Sequence, residues 1–549
     1  MSKLKKIVKS IYNCLYILFK YGPVSLKRKF DNYKYHNSIS QQMIDATHIY
    51  SEDVLDKQRK TQFKNPIQIS ILTPLFNTPE DFLLDMMNSL KEQTYSNWQL
   101  CLADASDDKH SYVQDICEKY CDEDSRFVYK KLDTNKGISG NTNDCFKLAT
   151  GDYIGLLDHD DVLHPSLLYE VAKAINEQNA DFIFTDEVKF EGNIHNITDI
   201  KAFNFKPGFG ADDLRSHNFI CHFTCYKKSL LESEPALYRD EFNGSQDHDM
   251  VLRLTEKTKR IVHISKPLYY WRLHQQSVSM DLNSKPYVVD AAIRAISAQL
   301  DRMNEKGTVQ SSFPFLTIYK VDYPLENKPL ITMLVNCDSE KALDVFKSKV
   351  ISKSSYKNLE FVKMESWNQI ENVNGEYVML VSDQLEILHE HWIEEMMMHA
   401  VRKNVFAVSP KIYNRDFTVN YAGVCLDKDA DNYLYPLCSH DSNMDIGYEG
   451  MLCHVRNVTA TTRECMLFEK QKWIELAQLR NLISGYEEVD MCLRALALDK
   501  RNVFVPYSEC KLKKNSVIKR DSNEFKLQYC NEIENDIRLN ANWKNLNLV

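Results

Sequence analysis

A buried-looking apolar run ends in acids once in this chain and in a weaker echo further on: GDYIGLLDHDDVL spans 151–163 and GEYVMLVSDQLEI spans 375–387. The first half of each reads as a strand. Three aspartates and a histidine at the end of a buried strand restrict the fold, because unpaired buried carboxylates carry a penalty of several kcal/mol. They must reach solvent or hold something positive, so the strand should end at the rim of a sheet, where open α/β sheets place their ligands.

The surrounding pattern agrees with such a sheet. IQISILTPLF reads as a strand and loop, TPEDFLLDMMNSLKEQ as a helix, WQLCLADAS as a second buried strand and FVYKKL as a short third. NTNDCFKLAT and LLYEVAKAINEQNA read as helices flanking the acidic strand, and DFIFTDEVKF as the strand that comes after. QDHDMVLRLTEKT reads as a helix with acids at its start, and KRIVHI and PLYYWRLHQQS close this unit near residue 280. A second unit opens near Lys328. There PLITMLVNC answers IQISILTPL, and GYEEVDMCLRALA answers GSQDHDMVLRLTE, so three correspondences in one order indicate an internal duplication. The expected organisation is a basic helical segment over 1–65, an α/β unit over 66–285, a helical linker over 286–327, a second α/β unit over 328–515 and a helical extension over 516–549.

At 549 residues and 44% hydrophobic content the chain can bury more than one core. Its net charge of −9 argues against a general nucleic-acid binder, so no nucleic-acid partner is expected. The fifteen cysteines show no repeated pair spacing; Cys117 and Cys121 share a helix face without a second pair to complete a zinc site. Free thiols in a reducing compartment are expected, and a cytoplasmic location with them. No stretch of 18 apolar residues spans a bilayer, and the short run YNCLYILF lacks the features of a signal peptide. Leu4, Ile7, Ile11, Leu15 and Leu18 recur at helical spacing beside a cluster of lysines. Two readings stand for that segment: attachment to an anionic inner membrane surface, or docking on the protein's own body. Neither it nor the second unit specifies an oligomeric symmetry.

Alternation along a strand lets Asp158 and Asp160 point alike while His159 turns away, which suits two oxygen ligands of Mg²⁺ or Mn²⁺. Such an ion would neutralise a diphosphate at an otherwise anionic site. DHDD read alone is equally a solvated loop. Asp104 ends another strand and can accept from a base or ribose donor; Asp247 begins a helix and can cap it or act as a general base. His274 offers a metal or phosphate contact, and Arg272 a donor to a pyrophosphate or an ordinary salt bridge.

Taken in order, ISILTPLFNTPEDFLLDMMNSLKEQTYSNWQL, LADASDD, NKGISGNTNDCFKLATGDYIGLLDHDDVLHPSLL, DFIFTDEVK, SHNFICHF, GSQDHDMVLRL and YYWRLHQQSVS resemble the inverting family 2 glycosyltransferases of GT-A fold. The likeness is to the tandem-domain bacterial enzymes of lipopolysaccharide O-antigen, capsule and related surface glycans. The resemblance implies an α/β GT-A fold in two tandem copies, the second degenerate. It places Thr73, Pro74 and Asp104 at the nucleotide, Asp158 and Asp160 in the DXD motif, with Asp160 on the metal and Asp158 on ribose or metal. It makes Asp247 the catalytic base and His274 a further metal or diphosphate contact. The implied reaction moves a sugar from a nucleotide-sugar donor to a glycan or lipid-linked oligosaccharide. A UDP-sugar is the expected donor and a dTDP-sugar such as activated rhamnose the alternative. The second unit resembles the family through HEHWIEEMMMHAVRKNVFAVSPKI and ISGYEEVDMCLRALAL; Glu488 aligns with Asp247, and Asp383 reaches the metal-binding position after a one-residue shift. Two further readings stand beside this one: a polymerase with two active domains, and a noncatalytic glycan-binding or assembly protein.

Overall fold

Strand β1 (Ile69–Leu75) is buried at every position, as a central parallel strand covered on both faces must be. In the computed structural model, which describes residues 50–549 except 193, 195–198, 275–285, 440, 515–518 and 546–549, and parts of 11–30, β1 pairs in parallel with β2 (Trp98–Asp104). Beyond β2 lies β3 (Phe127–Lys131), and on the other side of β1 lies β4 (Tyr153–Leu156), again parallel. The order continues with β5 (Val162–Leu163), β6 (Phe182–Phe190), β7 (Ile200–Asn204), β8 (Thr224–Lys227) and β9 (Ile261–Arg272) arranged as β3-β2-β1-β4-β8-β6-β9-β5, with β7 on β6. β8 is antiparallel to both neighbours, and β6 and β9 run parallel.

The helices Glu80–Lys91, Tyr112–Glu123 and Leu167–Gln178 cover one face of this curled sheet through Leu83, Met87, Val113, Cys117, Leu168 and Val171. Gly137–Phe146, Gln246–Thr255 and Pro286–Arg302 cover the other through Cys145, Met250, Leu252, Ala292 and Ile296. Both faces are therefore dry, and only the strand ends meet solvent.

The second sheet repeats the first. Its order is Leu359–Lys363, Ile331–Asn336, Tyr377–Ser382, Cys465–Glu469, Val405–Tyr413, Arg501–Leu512, Leu385–Ile387, with the same succession of parallel and antiparallel neighbours as β2-β1-β4-β8-β6-β9-β5. Val419–Tyr421 sits on Val405–Tyr413 as β7 sits on β6; Arg456–Val458 is an addition. Smaller details recur too. Asp249 is held by Arg239 and Arg253, and Asp490 by Arg480 and Arg494. The architecture is thus α/β with two curled sheet cores, each flanked by helices, as tandem GT-A-like domains require.

The segment expected as a helical linker departs from expectation. After the helix Pro286–Arg302 it forms an antiparallel hairpin, Thr308–Ser312 with Phe315–Asp322, turning at Phe313-Pro314. The cause lies in the β-branched and aromatic residues of TVQSS and FLTIYKVD, which favour strand over helix. The two units share one apolar core: Phe203, Phe205 and Tyr270 pack in the same cluster as Ile412, Leu452 and Trp543. The tail adds Asn540, whose Nδ2 donates to Asp186 Oδ2 at 2.9 Å and to the Lys206 carbonyl at 3.0 Å, and Trp543, whose Nε1 donates to the Phe205 carbonyl at 2.8 Å. Gly208 lies so close to the tail that a Cβ there would strike the Ile537 carbonyl.

All fifteen cysteines are free thiols. No helix among the described residues is long and apolar enough to cross a membrane. Leu4 and Ile7 lie outside the described residues; of the same helical stripe Ile11, Leu15 and Leu18 are exposed, while Ile17 is buried.

Candidate active site

Four strand ends converge at one rim. β4 delivers Asp158–Asp161, β2 delivers Asp104, β9 delivers Arg272 and then His274, and the residues leading into β8 deliver Cys221 and His222. The antiparallel pairing of β4 with β8 explains the last: Tyr153 lies opposite Lys227, so the residues after β4 face the residues before β8.

His159 turns aside, its Nδ1 2.7 Å from Thr78 Oγ1. Asp160 Oδ2 lies 2.7 Å from His274 Nε2, and Asp158 Oδ2 lies 3.5 Å from His222 Nε2. Asp161 is buried, accepting from the Tyr269 hydroxyl at 2.5 Å and from the Arg272 backbone N–H at 2.8 Å. Burial first, then repulsion from Asp160 and Asp158, raises its pKa well above the usual carboxylate range. Ligand atoms of Asp158, Asp161 and His222 lie within 4.8 Å of one another, which fits a divalent cation and would relieve that repulsion. The grouping differs from the expected pairing of Asp158 with Asp160. β5 begins directly after Asp161 and pairs with Tyr269 and Tyr270, which pins Asp161 inward beside Asp158 while Asp160 faces His274.

His222 stacks on Tyr269 at 4.9 Å and also faces Glu187, 3.4 Å away. Burial alone would raise the Glu187 pKa; Lys206, at 3.2 Å, and His222 reverse that and hold it low. Asp247, in the first turn of its helix, accepts from Asn218 Nδ2 at 2.8 Å and from the Cys221 thiol at 3.7 Å. The step from Cys221 to His222 therefore joins Asp247 to the acidic cluster. Cys221 occupies the left-handed region at φ +40°, a conformation a non-glycine residue keeps only where its surroundings hold it.

At the nucleotide end, Thr73 and Pro74 are buried in β1, and Thr73 Oγ1 has no hydrogen-bond partner among the described residues. Asp104 is buried: Ser106 N–H donates to its Oδ1, and Tyr129 and Lys131 donate to its Oδ2, each at 2.8 Å. Burial opposes its charge, but those donors, Lys131 foremost, outweigh it and lower its pKa. Arg272 is buried under Phe82 and Phe190, with three donors on protein acceptors: the Asp160 carbonyl, the Gly192 carbonyl and Asp85. The rim thus gathers the expected acids, with His274 and Asp247. It adds His222, Asn218 and Glu187, which strand patterns alone did not mark, and draws Asp161 of the DHDD run into the cluster; the pairing of β4 with β8 is the signal that identifies His222.

In the second unit Glu488, aligned with Asp247, is buried between Arg463 Nε at 2.9 Å and Arg520 at 3.3 Å. Asp383 accepts from Gln384 Nε2 at 2.8 Å, and no second cluster of three metal-ligating groups occurs among the described residues.

Residues 70–234 match the family model described as Glycosyl transferase family 2. An uncharacterized protein, y4gI, of Sinorhizobium fredii is 28% identical over 82% of this chain and 53% of its own length. The O-antigen biosynthesis protein RfbC of Myxococcus xanthus is 27% identical over 65% of this chain and 30% of its own length. Chondroitin synthase of Escherichia coli is 28% identical over 41% of this chain and 32% of its own length. The chain spans about half or less of the length of these relatives. Residues 70–234, which carry Asp104, Asp158, Asp160 and Asp161 but not Asp247, Arg272 or His274, are a family-2 glycosyltransferase domain of GT-A fold, related to bacterial surface-polysaccharide enzymes.

Proposed function

We propose that the unit over 66–285 transfers a sugar, with inversion, from a nucleotide-sugar donor to a hydroxyl of a glycan or lipid-linked oligosaccharide in bacterial surface-polysaccharide synthesis. A UDP-sugar is the preferred donor. The observation that carries this reading is the Cys221–His222 step, which sets Asp247 beside the acids of β4. Asp247, oriented by Asn218, accepts the proton of the acceptor hydroxyl as that oxygen bonds to the anomeric carbon; the bond to the diphosphate breaks on the opposite face. One displacement inverts configuration.

Asp158, Asp160, Asp161, His222 and His274 are the residues that would hold Mg²⁺ or Mn²⁺. Such an ion supplies positive charge against the departing diphosphate. Arg272 fixes the Asp160 backbone rather than the diphosphate, and Lys131 and Tyr129 fix Asp104 at the nucleoside. The second unit is read as noncatalytic, because Glu488 is neutralised by two guanidinium groups. The exposed Ile11, Tyr12, Leu15 and Phe19 of the lysine-rich N-terminal segment support attachment to an anionic membrane surface.

The test is turnover with a panel of UDP- and dTDP-sugars, metal and lipid-linked or oligosaccharide acceptors. Asp247→Asn should lower kcat by about 10²–10⁴-fold while nucleotide binding persists, and Asp160→Ala should weaken donor binding. Near-normal turnover in both variants overturns the site assignment. Loss of one of two distinct linkages in Glu488→Gln would make the second unit an active transferase.

A further inference from the structure

The second unit holds a cavity of about 210 Å³, lined in part by Asn336, Glu365, Ser366, Trp367, Arg463 and Glu464. Sheet register fixes its position. Ile331 pairs with Leu359 and Tyr377 as Ile69 pairs with Trp98 and Tyr153, so Asn336 stands where Pro74 stands and Glu365 where Asp104 stands. Tyr377 faces Glu469 as Tyr153 faces Lys227, which puts Glu464 in the place of His222. The cavity is therefore the second unit's counterpart of the nucleotide site.

Its chemistry is different. Ser382 and Gln384 replace the first and third residues of the acidic motif, so this strand end no longer pairs two acids for a diphosphate's cation, and Asp383 is engaged by Gln384. Arg463 is committed to Glu487, at 2.8 Å, and to Glu488, and so does not recruit an anion. Glu464 is only 7% exposed, and its Oε2 accepts no hydrogen bond among the described residues. A buried carboxylate oxygen on a cavity wall calls for an O–H or N–H donor from a ligand. It also repels phosphate.

We propose that this cavity binds one neutral sugar residue of the acceptor or product glycan. Hydroxyl groups supply the donor that Glu464 Oε2 lacks and reach the exposed Glu365, whose Oε1 lies 3.6 Å from Lys363. The volume falls below the roughly 300–1,000 Å³ of pockets for drug-sized ligands; it suits one ring rather than the linked base and ribose of a nucleoside. Only the source of the sugar rests on the transferase reading, and binding is measured apart from turnover.

Ligand-observed NMR and calorimetry on the full chain would use glucose, galactose, mannose, rhamnose, N-acetylglucosamine, N-acetylgalactosamine, uridine and UDP. At least one sugar should bind the unmodified chain and Asp160→Ala alike, and bind Glu464→Leu and Glu365→Ala at least tenfold more weakly. Glu365 is exposed, so its substitution reports on the cavity even if Glu464→Leu misfolds. No sugar binding, sugar binding unchanged in both cavity variants, or uridine binding abolished by Glu464→Leu would each overturn the proposal. Sugar binding in a chain that fails to turn over any donor would sink the transferase reading and leave this one standing.

Discussion

Asp213 lies 2% exposed where the first unit meets the second, its Oδ2 accepting from the Asn457 backbone N–H at 2.7 Å. Burial raises its pKa from 3.8 to about 6, outweighing the help of Arg538 and that N–H. The folded state therefore prefers the protonated form. Its contribution to stability is full below pH 4 and is lost as pH rises through about 6, a change of about 3 kcal/mol. Asp213→Asn keeps an acceptor for Asn457 without the charge. Thermal unfolding from pH 4 to 8 should show the variant gaining on the unmodified chain up to about pH 7 and holding a constant lead above it; parallel curves throughout would refute the assignment. Nothing in the sequence separates Asp213 from its neighbour Asp212, whose pKa is instead held low despite burial by Arg402 and Arg501. The same limit applies at the active site. Asp158, Asp160 and Asp247 are legible because each sits at a recognisable element end, whereas His222 depends on which strand lies beside β4, a non-local fact.

Among the elements, β4 and its copy Tyr377–Ser382 are seated by one device. Gly151 N–H donates to Ser70 Oγ at 2.9 Å, and Gly375 N–H donates to Thr332 Oγ1 at 2.9 Å. A Cβ on Gly151 would lie 2.6 Å from the Gln68 carbonyl and 2.9 Å from the Ser70 nitrogen; on Gly375 it would lie 2.5 Å from the Thr332 nitrogen. Backbone cannot yield as a side-chain tip can, so alanine at either glycine should cost about 1–3 kcal/mol through overpacking. Chemical denaturation should show similar losses in Gly151→Ala and Gly375→Ala; a neutral result in either would mean that strand can shift. Strand and helix alternation, and the duplication itself, are readable because apolar runs and polar ends repeat in one order. The hairpin within 286–327 escapes the linker reading, since a helix directly before it sets the expectation for the whole segment.

For the molecule as a whole, the question is whether two sheets fold as one body. Arg402 Nη1 reaches Asp212 Oδ1 at 2.5 Å and the Tyr323 hydroxyl at 2.8 Å, and Asn457 Nδ2 donates to Asp212 Oδ2 at 2.7 Å. Removing one partner of a buried ion pair strands the other charge, at a cost of about 3–5 kcal/mol. Arg402→Met should therefore destabilise both units together in a single unfolding transition, and adding Asp212→Asn should recover part of the loss. Two separated transitions in the unmodified chain would contradict the shared core. The tail that ties the units has a consequence in time. Asp186, in β6 of the first unit, finds partners for its Oδ1 nearby in Lys206 and His263, but its Oδ2 receives a donor from Asn540, 354 residues later. At about 5–20 residues per second of synthesis, roughly 20–70 s pass before that donor exists. The half that bears the acidic rim is thus translated first and finished last, and a ribosome that stalls in the second half leaves it unlatched.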